Sequence, residues 1–380
     1  MTAGSRALLW SCERGYRWLR PMIFAASAQR AHEALVELLA VADRSAALCA
    51  LARRINRAAF PARPISAGGV ELPHPFILAA GLVKGTGFAT EREALDAVRR
   101  GDDIIPGWRA MPALVGPLEI GSFTRHPRLG NPGTVVWREV ATRSTQNRVG
   151  LRNPGALAAA AFLAARRHQL PAVFGISLAS SPGVTDPAAD RRELVESVLA
   201  FVRAGVVPAW FSLNLSCPNT EDDPGQRQSE AATRAACDAI IGALRDARAG
   251  VPLWVKISPG LDDAQYRAML RVCADAGVRA IIATNTLGRP APSGAGAIAG
   301  VGGGGLHRHA VAAAAVLERE NRARGYAIDV IGSGGIEDRA SYEAFAARGA
   351  PVVQYWSALI YRGPLAAAGI LDEITGSRSS

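Results

Sequence analysis

The stretch "PLWVKISPG" (residues 252–260) begins as an apolar run and ends in a loop, and Lys256 lies where the run ends. A short run of this kind, rich in β-branched and aromatic residues and bounded by proline and glycine, is typical of a buried strand. Seven similar runs occur along the chain. The set of eight is "FILAAG", "PLEIGS", "AVFGISL", "WFSLNLS", "LWVKIS", "AIIATN", "DVIGSG" and "VVQYWS".

Between most of these runs lie stretches with the period of an amphipathic helix, at residues 188–204, 228–248, 263–276, 309–323 and 338–348. Continuous apolar strands that alternate with helices are typical of a parallel sheet covered on both faces. Eight such units predict an α/β fold, a closed (β/α)8 TIM barrel at residues 66–372, with functional side chains at the carboxyl ends of its strands. Residues 373–380 are predicted to be a tail.

Residues 1–65 lack this alternation and predict a helical N-terminal extension. "QRAHEALVELLAV" (29–41) places apolar side chains on one helical face, and "AALCALARRINRAAF" (46–60) is a second, basic helix that ends before Pro61. The extension has ten arginines against four acidic residues. It is either a lid packed on the barrel or a helical hairpin that faces a membrane, and its basic, partly apolar character suits an anionic phospholipid surface.

The composition excludes several classes of protein. The chain has 380 residues and a net charge of +10, but it contains neither a basic run nor zinc-finger spacing, so we do not predict nucleic-acid binding. Five cysteines without a CxxC pair indicate a reducing compartment and neither a disulfide framework nor a metal site. No apolar stretch approaches the ~18 residues of a spanning helix. We therefore predict a cytoplasmic protein, with or without attachment to the membrane.

Only two of the 43 basic residues are lysines, Lys84 and Lys256. Arginine is a planar fork of five donors, whereas lysine is a compact ammonium on a flexible stem, so the two do not replace each other at a tight site. Both lysines follow an apolar run, where a barrel carries its functional groups. We interpret both as site residues; the alternative is that they are residual charges on a solvated surface.

Polar side chains cluster at the ends of predicted strands and in one loop. The segments are "NLSCPNT" (214–220) after the fourth strand, "TNT" (284–286) after the sixth, and "QNRVG" (146–150) in a loop after the second. Amide side chains both donate and accept hydrogen bonds, so together they suit a planar, uncharged ring with carbonyl and N–H groups. Cys217 has polar neighbours rather than apolar ones, and we predict that it is a general base.

Glycines follow the seventh strand in "IGSGGIED" (331–338) and lead toward a helix, an arrangement that binds phosphate. The loops after strands seven and eight are the usual phosphate position of a barrel. A second glycine cluster, "GAGAIAGVGGGG" (294–305), does not directly follow a predicted strand, so no dinucleotide fold is expected. The chain lacks HExxH, GxSxG and GxxxxGK[ST], which argues against metal-dependent, serine and nucleotide hydrolysis. His307 and His309 are interpreted as solvated.

From about residue 65 to residue 368 the chain resembles the dihydroorotate dehydrogenases. The matching segments, in the family's order, are "AAGLVKGTG", "EIGSFT", "NRVGLRNPG", "NLSCPNT", "WVKISP", "TNT", "IGSGGI" and "VVQYWSALIYRGP". Members of this family are flavin barrels that oxidise dihydroorotate to orotate in pyrimidine biosynthesis. The resemblance therefore implies bound FMN and, because members with a helical extension are the membrane-associated class, a quinone as electron acceptor.

The resemblance also implies roles for matching residues. Lys256 would meet the N1 and O2 edge of the FMN ring, where negative charge collects when hydride arrives at N5. Cys217 would remove the C5 proton of the substrate. The implied cofactor contacts are Ala80, Gly81, Lys84, Ser122, Ser177, Asn214, Lys256, Thr284, Gly303, Gly334, Gly335, Trp356 and Ser357. The implied substrate contacts are Lys84, which would pair with the carboxylate, and Asn147, Arg148, Asn214, Asn219, Asn285 and Thr286.

The chain departs from the family pattern at several positions. The class with an extension uses serine as base, whereas Cys217 matches the soluble class; Ser177 replaces an FMN-binding asparagine, and Trp356 stands where tyrosine is common. The alternative function is therefore a divergent FMN oxidoreductase that acts on another dihydropyrimidine or enone with fumarate or NAD(P) as acceptor. Two further alternatives are a phosphate-binding barrel that forms a Schiff base at Lys256 and a binding protein without flavin.

Overall fold

A computed structural model describes residues 2–215, 229–294 and 296–376 of the chain. The strands, in chain order, are β1 Ile65–Ala67, β2 Val70–Leu72, β3 Phe76–Leu78, β4 Glu119–Phe123, β5 Val136–Glu139, β6 Ser144–Asn147, β7 Gly175–Ala179, β8 Trp210–Asn214, β9 Leu253–Ile257, β10 Ala280–Ala283, β11 Leu287–Pro290, β12 Ile298–Gly303, β13 Asp329–Ser333 and β14 Val353–Tyr355.

The helices of the extension are α1 Ala3–Ala25, α2 Ala28–Arg44 and α3 Ala46–Ala59. Those of the remaining chain are Glu91–Arg100, Ala110–Val115, Ala156–Ala164, Pro187–Arg203, Glu230–Asp246, Asp263–Ala276, Gly304–Arg324, Arg339–Ala346, Ser357–Arg362 and Ala366–Gly376, with a short 3-10 turn at Arg167–Gln169.

Eight parallel strands form the barrel in the order β3-β14-β13-β10-β9-β8-β7-β4. A parallel bridge between Leu78 and Leu118, in which the Leu78 N–H donates to the Pro117 carbonyl (3.0 Å), joins the two end strands and closes the ring. Each barrel strand lies within or overlaps one of the eight predicted runs. The predicted (β/α)8 TIM barrel is therefore confirmed. The runs are apolar throughout because both faces of each barrel strand are covered.

The amino ends of the barrel strands are closed by the antiparallel hairpin of β1 and β2. Its Gly68 carbonyl accepts a hydrogen bond from the Trp254 indole (3.0 Å), and Trp254 stacks on Trp210 with ring centroids 4.3 Å apart. Side chains two residues apart on a strand point to the same face, so Trp254 and Lys256 both point into the barrel. The tryptophan fills the lower interior, and the lysine lies above it on the side that stays open.

A second, four-stranded antiparallel sheet of order β11-β12-β6-β5, which we call the small sheet, lies at the carboxyl ends of the barrel strands. The sequence did not predict it. Asn147 was expected in a loop, but it ends β6 and pairs with Gly300 on one side and Val136 on the other. The cluster at residues 294–305 was not expected to follow a strand, yet β12 runs through it and directly into the helix Gly304–Arg324.

The extension is anchored to the barrel by polar contacts. The Asp43 carboxylate at the end of α2 accepts hydrogen bonds from the backbone N–H groups of Gly107 (2.6 Å), Ala110 (2.7 Å) and Arg109 (3.1 Å). Helix α1 was not predicted as a separate element, and its Glu13 pairs with Arg362 at 2.6 Å. The extension therefore packs on the barrel. The domain bounds at residues 65 and 372, and the tail, remain predictions.

Candidate active site

A cavity of about 1270 Å³, partly open to solvent, lies at the carboxyl ends of the barrel strands beside the small sheet. It brings together residues that lie far apart in the sequence. All thirteen expected cofactor contacts line it: Ala80, Gly81, Lys84, Ser122, Ser177, Asn214, Lys256, Thr284, Gly303, Gly334, Gly335, Trp356 and Ser357. Of the expected substrate contacts, Lys84, Asn147, Asn214, Asn285 and Thr286 line it as well.

Three predicted site residues are not placed in this cavity. Arg148 is not one of its lining residues, and its backbone N–H instead donates to the Val135 carbonyl at 2.7 Å. Cys217 and Asn219 lie outside the described residues. Their predicted roles rest on the sequence alone.

Lys256 is almost completely buried, with 7% of its surface exposed, and its Nζ donates to Gln354 Oε1 at 2.8 Å. Burial lowers the pKa of the Lys256 ammonium below its ordinary value of 10.5, and the charge of Glu119 opposes this shift. The Nε2 of Gln354 is buried without a hydrogen-bond partner in the part of the chain that the structure describes. Lys256 Nζ and Gln354 Nε2 thus place two nitrogen donors close together in the wall of the cavity.

A network of amide and hydroxyl groups lines the wall beside Lys256. Asn285 Nδ2 donates to Asn214 Oδ1 at 3.0 Å, and Asn214 Nδ2 donates to the Ser122 hydroxyl at 3.3 Å. The hydroxyls of Ser122 and Ser177 are 2.8 Å apart, so Ser177 keeps a polar contact where the family pattern has asparagine. Asn214 and Lys256 are direct neighbours across β8 and β9. These bonds fix the orientation of the amides before any ligand binds.

Glycines form a cradle, defined here as Gly302, Gly303, Gly334 and Gly335, at the start of the helix Gly304–Arg324. Gly303 (φ +82°) precedes the first residue of this helix and, as a glycine, has no side chain to cap it. The first two N–H groups of the helix are already bonded, since Gly304 N–H donates to the Arg143 carbonyl at 3.5 Å and Gly305 N–H donates to Ser144 Oγ at 2.8 Å. A Cβ on Gly335 (φ +69°) would lie 2.6 Å from the Gly303 oxygen, whereas a Cβ on Gly302 would meet nothing closer than 3.6 Å. Backbone that carries no side chains, beside the start of a helix, suits a phosphate group.

We expect Gly335→Ala to weaken binding of the expected FMN cofactor roughly tenfold, because the added methyl group overpacks the cradle at a cost of about 1–3 kcal/mol. Gly325→Ala is the matched control: Gly325 also has a positive φ, +66°, but a Cβ there would meet no atom within 4 Å. Flavin absorbance per mole of purified protein and titration with FMN measure the difference. Equal flavin affinity in the two variants would contradict the assignment of the cradle.

Sequence reasoning missed residues that reach the cavity from unexpected elements. His32 belongs to α2 of the extension, and Thr145 to the small sheet. Burial, and next the charge of Lys84, lower the pKa of His32 to about 4, so its imidazole is neutral at pH 7. Gln354 could have been found from the sequence, because, like Lys256, it is a polar residue inside an apolar strand. His307 is not simply solvated, because its Nδ1 lies 3.0 Å from the Gly334 carbonyl.

These features define a class of protein: a parallel barrel whose carboxyl end combines a phosphate cradle, a buried lysine and an amide-lined pocket. The chain belongs to the dihydroorotate dehydrogenase family, since the family model described as "Dihydroorotate dehydrogenase" matches residues 107–377. The resemblance inferred from the sequence is confirmed.

Several relatives are similar over most of the chain. Two proteins named "Dihydroorotate dehydrogenase (quinone)", from Chloroflexus aurantiacus and Flavobacterium lutescens, are each 32% identical. The first match covers 92% of this chain and 93% of the relative, and the second covers 96% and 97%. The fold is also similar to that of DHODH from Eimeria tenella crystallised with ferulenol, with a TM-score of 0.69, 21% identity and coverage of 88% of this chain and 91% of that one.

Proposed function

We propose that the protein oxidises dihydroorotate to orotate in pyrimidine biosynthesis and passes the electrons to a quinone. The observation that carries this proposal is the position of the buried Lys256–Gln354 pair beside the network of Asn214 and Asn285 at the mouth of the barrel. The quinone class named for the relatives favours this acceptor over fumarate or NAD(P). A substrate other than dihydroorotate is not favoured.

The residues present fit FMN as the cofactor. The four glycines of the cradle line the cavity with backbone alone, which suits the cofactor's phosphate, and Ser357 lies beside Gly303. Lys256 and the unpartnered Gln354 Nε2 supply buried donors for the polar edge of the ring. Bound there, FMN would supply the capacity to accept hydride that no amino acid side chain has.

The protein's own groups would bind the substrate and move its proton. The amides of Asn147, Asn214 and Asn285 suit the carbonyl and N–H groups of the pyrimidine ring. Lys84 is the cation for the substrate carboxylate. Cys217 would take the C5 proton, and a thiol with an ordinary pKa near 8.5 is a more accessible base than the serine of the membrane-associated class. The predicted substrate contacts of Arg148 and Asn219 remain proposals.

The extension contributes a side chain to the same cavity. His32 on α2 lines it together with Lys84, so a molecule held against the extension comes close to the proposed flavin site. Because His32 is neutral at pH 7, it offers one donor and one acceptor nitrogen to a quinone oxygen. Helix α2 would thus hold the acceptor close to the flavin.

We also propose that the extension attaches the protein to the cytoplasmic face of the membrane. No helix among the described residues combines the length and apolarity that crossing a bilayer requires. Many of the large apolar side chains that remain exposed lie on α1 to α3, namely Trp10, Trp18, Leu19, Met22, Ile23, Leu38, Val41, Leu48 and Leu51. Apolar side chains among arginines suit an interfacial helix, which lies in the membrane surface.

We expect the double substitution Trp18→Ser/Met22→Ser to reduce partitioning onto phospholipid vesicles at least tenfold, because it removes two apolar side chains that are 73% and 74% exposed on α1. Leu129→Ser/Val207→Ser is the control, since these side chains are 63% and 54% exposed but lie outside the extension. Co-sedimentation with vesicles measures the effect. Equal partitioning of both variants and the parent protein would exclude attachment through α1.

The direct test of the reaction is an anaerobic visible spectrum of the purified protein. Addition of dihydroorotate should bleach the flavin band, and a soluble quinone should restore it. A flavin band that does not respond to dihydroorotate would rule out the proposed substrate. A band that fumarate or NAD+ restores, but quinone does not, would rule out the proposed acceptor. Protein without flavin would rule out the cofactor.

A further inference from the structure

A second groove, of about 1040 Å³ and partly open to solvent, lies away from the active-site cavity. It is bounded by the carboxyl-terminal half of α3, the start of the helix Ala110–Val115 and the turn at Arg167–Gln169. Its cationic or polar lining residues are Arg53, Asn56, Arg57, Arg109, His168 and Gln169, and we call it the arginine groove. None of these residues lines the active-site cavity.

No acidic residue of the described chain lines the groove, although Arg109 Nη1 donates to the Asp43 backbone carbonyl at 3.1 Å. None of the ion pairs among the described residues involves Arg53, Arg57 or Arg109. The nearby Asp43 carboxylate is already occupied by three backbone N–H groups. Arg53 and Arg57 are four residues apart on one helical face, a spacing at which like charges destabilise a helix. An anion between them removes that repulsion.

The donors of the groove come from two parts of the fold. The groove's cations come from both the extension and the barrel, so they surround a common space instead of following one helix. Arginine forks bind phosphate oxygens in pairs. His168 accepts at Nε2 from Arg167 (3.4 Å), which leaves its Nδ1–H as a donor. Asn56 is held in place because its Nδ2 donates to the Leu114 carbonyl at 3.0 Å.

We propose that the arginine groove is a binding site for a phosphate group, either the headgroup of an anionic phospholipid or a free phosphate. The site is independent of the reaction and of the cofactor's phosphate. It would hold the extension and the barrel together, because its cations belong to both.

The test compares two double variants of the full-length, flavin-loaded protein. Arg53→Gln/Arg57→Gln removes two charges from the groove, whereas Arg44→Gln/Arg54→Gln removes two exposed charges of the extension that do not line it. The probes are vesicles of phosphatidylcholine with and without phosphatidylglycerol, and inorganic phosphate by titration calorimetry. We expect the groove variant to lose at least about tenfold in affinity for one probe, and the control variant less than twofold.

The outcomes separate the two sources of phosphate. Loss of the phosphatidylglycerol-dependent binding alone identifies a lipid headgroup, and loss of the calorimetric signal alone identifies free phosphate; either supports the site. Equal losses in both double variants, or unchanged binding of both probes, would overturn it. His168→Ala, on the barrel side of the groove, is a second variant in case the first folds poorly, and it should weaken the same probe severalfold.

Discussion

Lys256→Met is expected to lower the rate constant of flavin reduction by dihydroorotate about 10²- to 10³-fold, the effect of removing one preorganised donor from a site of developing negative charge. Methionine keeps the length of the side chain and removes only its charge and donors. Lys256 is buried and bonded to Gln354, so no solvent cation takes its place. Anaerobic stopped-flow measurement of flavin bleaching gives the rate constant directly.

The same lysine predicts a pH dependence. Burial lowers its pKa below 10.5, so the ammonium loses its proton at a lower pH than an exposed lysine does. The reduction rate should therefore fall as pH rises through that lowered pKa, and Lys256→Met should abolish this alkaline decline. A variant that keeps the decline would show that another group causes it.

Lys84→Met is the matched control because Lys84 lines the same cavity and is the only other lysine of the chain. Its proposed partner is the substrate carboxylate. Its loss should therefore raise the dihydroorotate concentration needed for half-maximal reduction and leave the limiting rate less affected. If both variants lose limiting rate equally, the two lysines do not have the separate roles proposed here.

Cys217→Ala is expected to slow flavin reduction about 10²- to 10⁴-fold, which is the usual contribution of a general base. Cys217→Ser should retain more activity than alanine, because serine is the base in the membrane-associated class. Deuterium at C5 of dihydroorotate should slow the reaction more in the serine variant than in the parent, since proton removal becomes harder.

A control thiol tests whether the effect belongs to Cys217. Cys12 lies on α1 and is only partly buried, so Cys12→Ser should leave flavin reduction unchanged. Full activity of Cys217→Ala, with the C5 isotope effect unaltered, would remove the cysteine from the mechanism. Another group would then have to accept the proton.

Much of the fold was visible in the sequence because a closed parallel barrel has an unusually direct signature. A strand covered on both faces must be apolar throughout, so each of the eight runs is recognisable on its own. Lys256 was recognisable for the related reason that a charged side chain inside such a run costs free energy unless it has a function or a partner. The partner, Gln354, carried the same signal in a later strand.

The small sheet and the extension's contribution to the cavity were decided by tertiary structure. The strands of the small sheet are short and rich in glycine and polar residues, so neither alternation nor a long apolar run marks them. His32 faces the cavity because of how α2 packs, and hydrophobic periodicity reports that a helix has a buried face without naming what covers it.

The sequence by itself therefore determined the barrel, its buried lysine and the amides of Asn214 and Asn285 at its strand ends, because each depends on local order along one segment. Only the tertiary structure decided where the small sheet lies, that His32 reaches the same cavity as Lys84, and that arginines of α3 face Arg109 and His168 across a groove. Those features depend on contacts between segments far apart in the chain, and the free energy of such contacts is not encoded in any one of them.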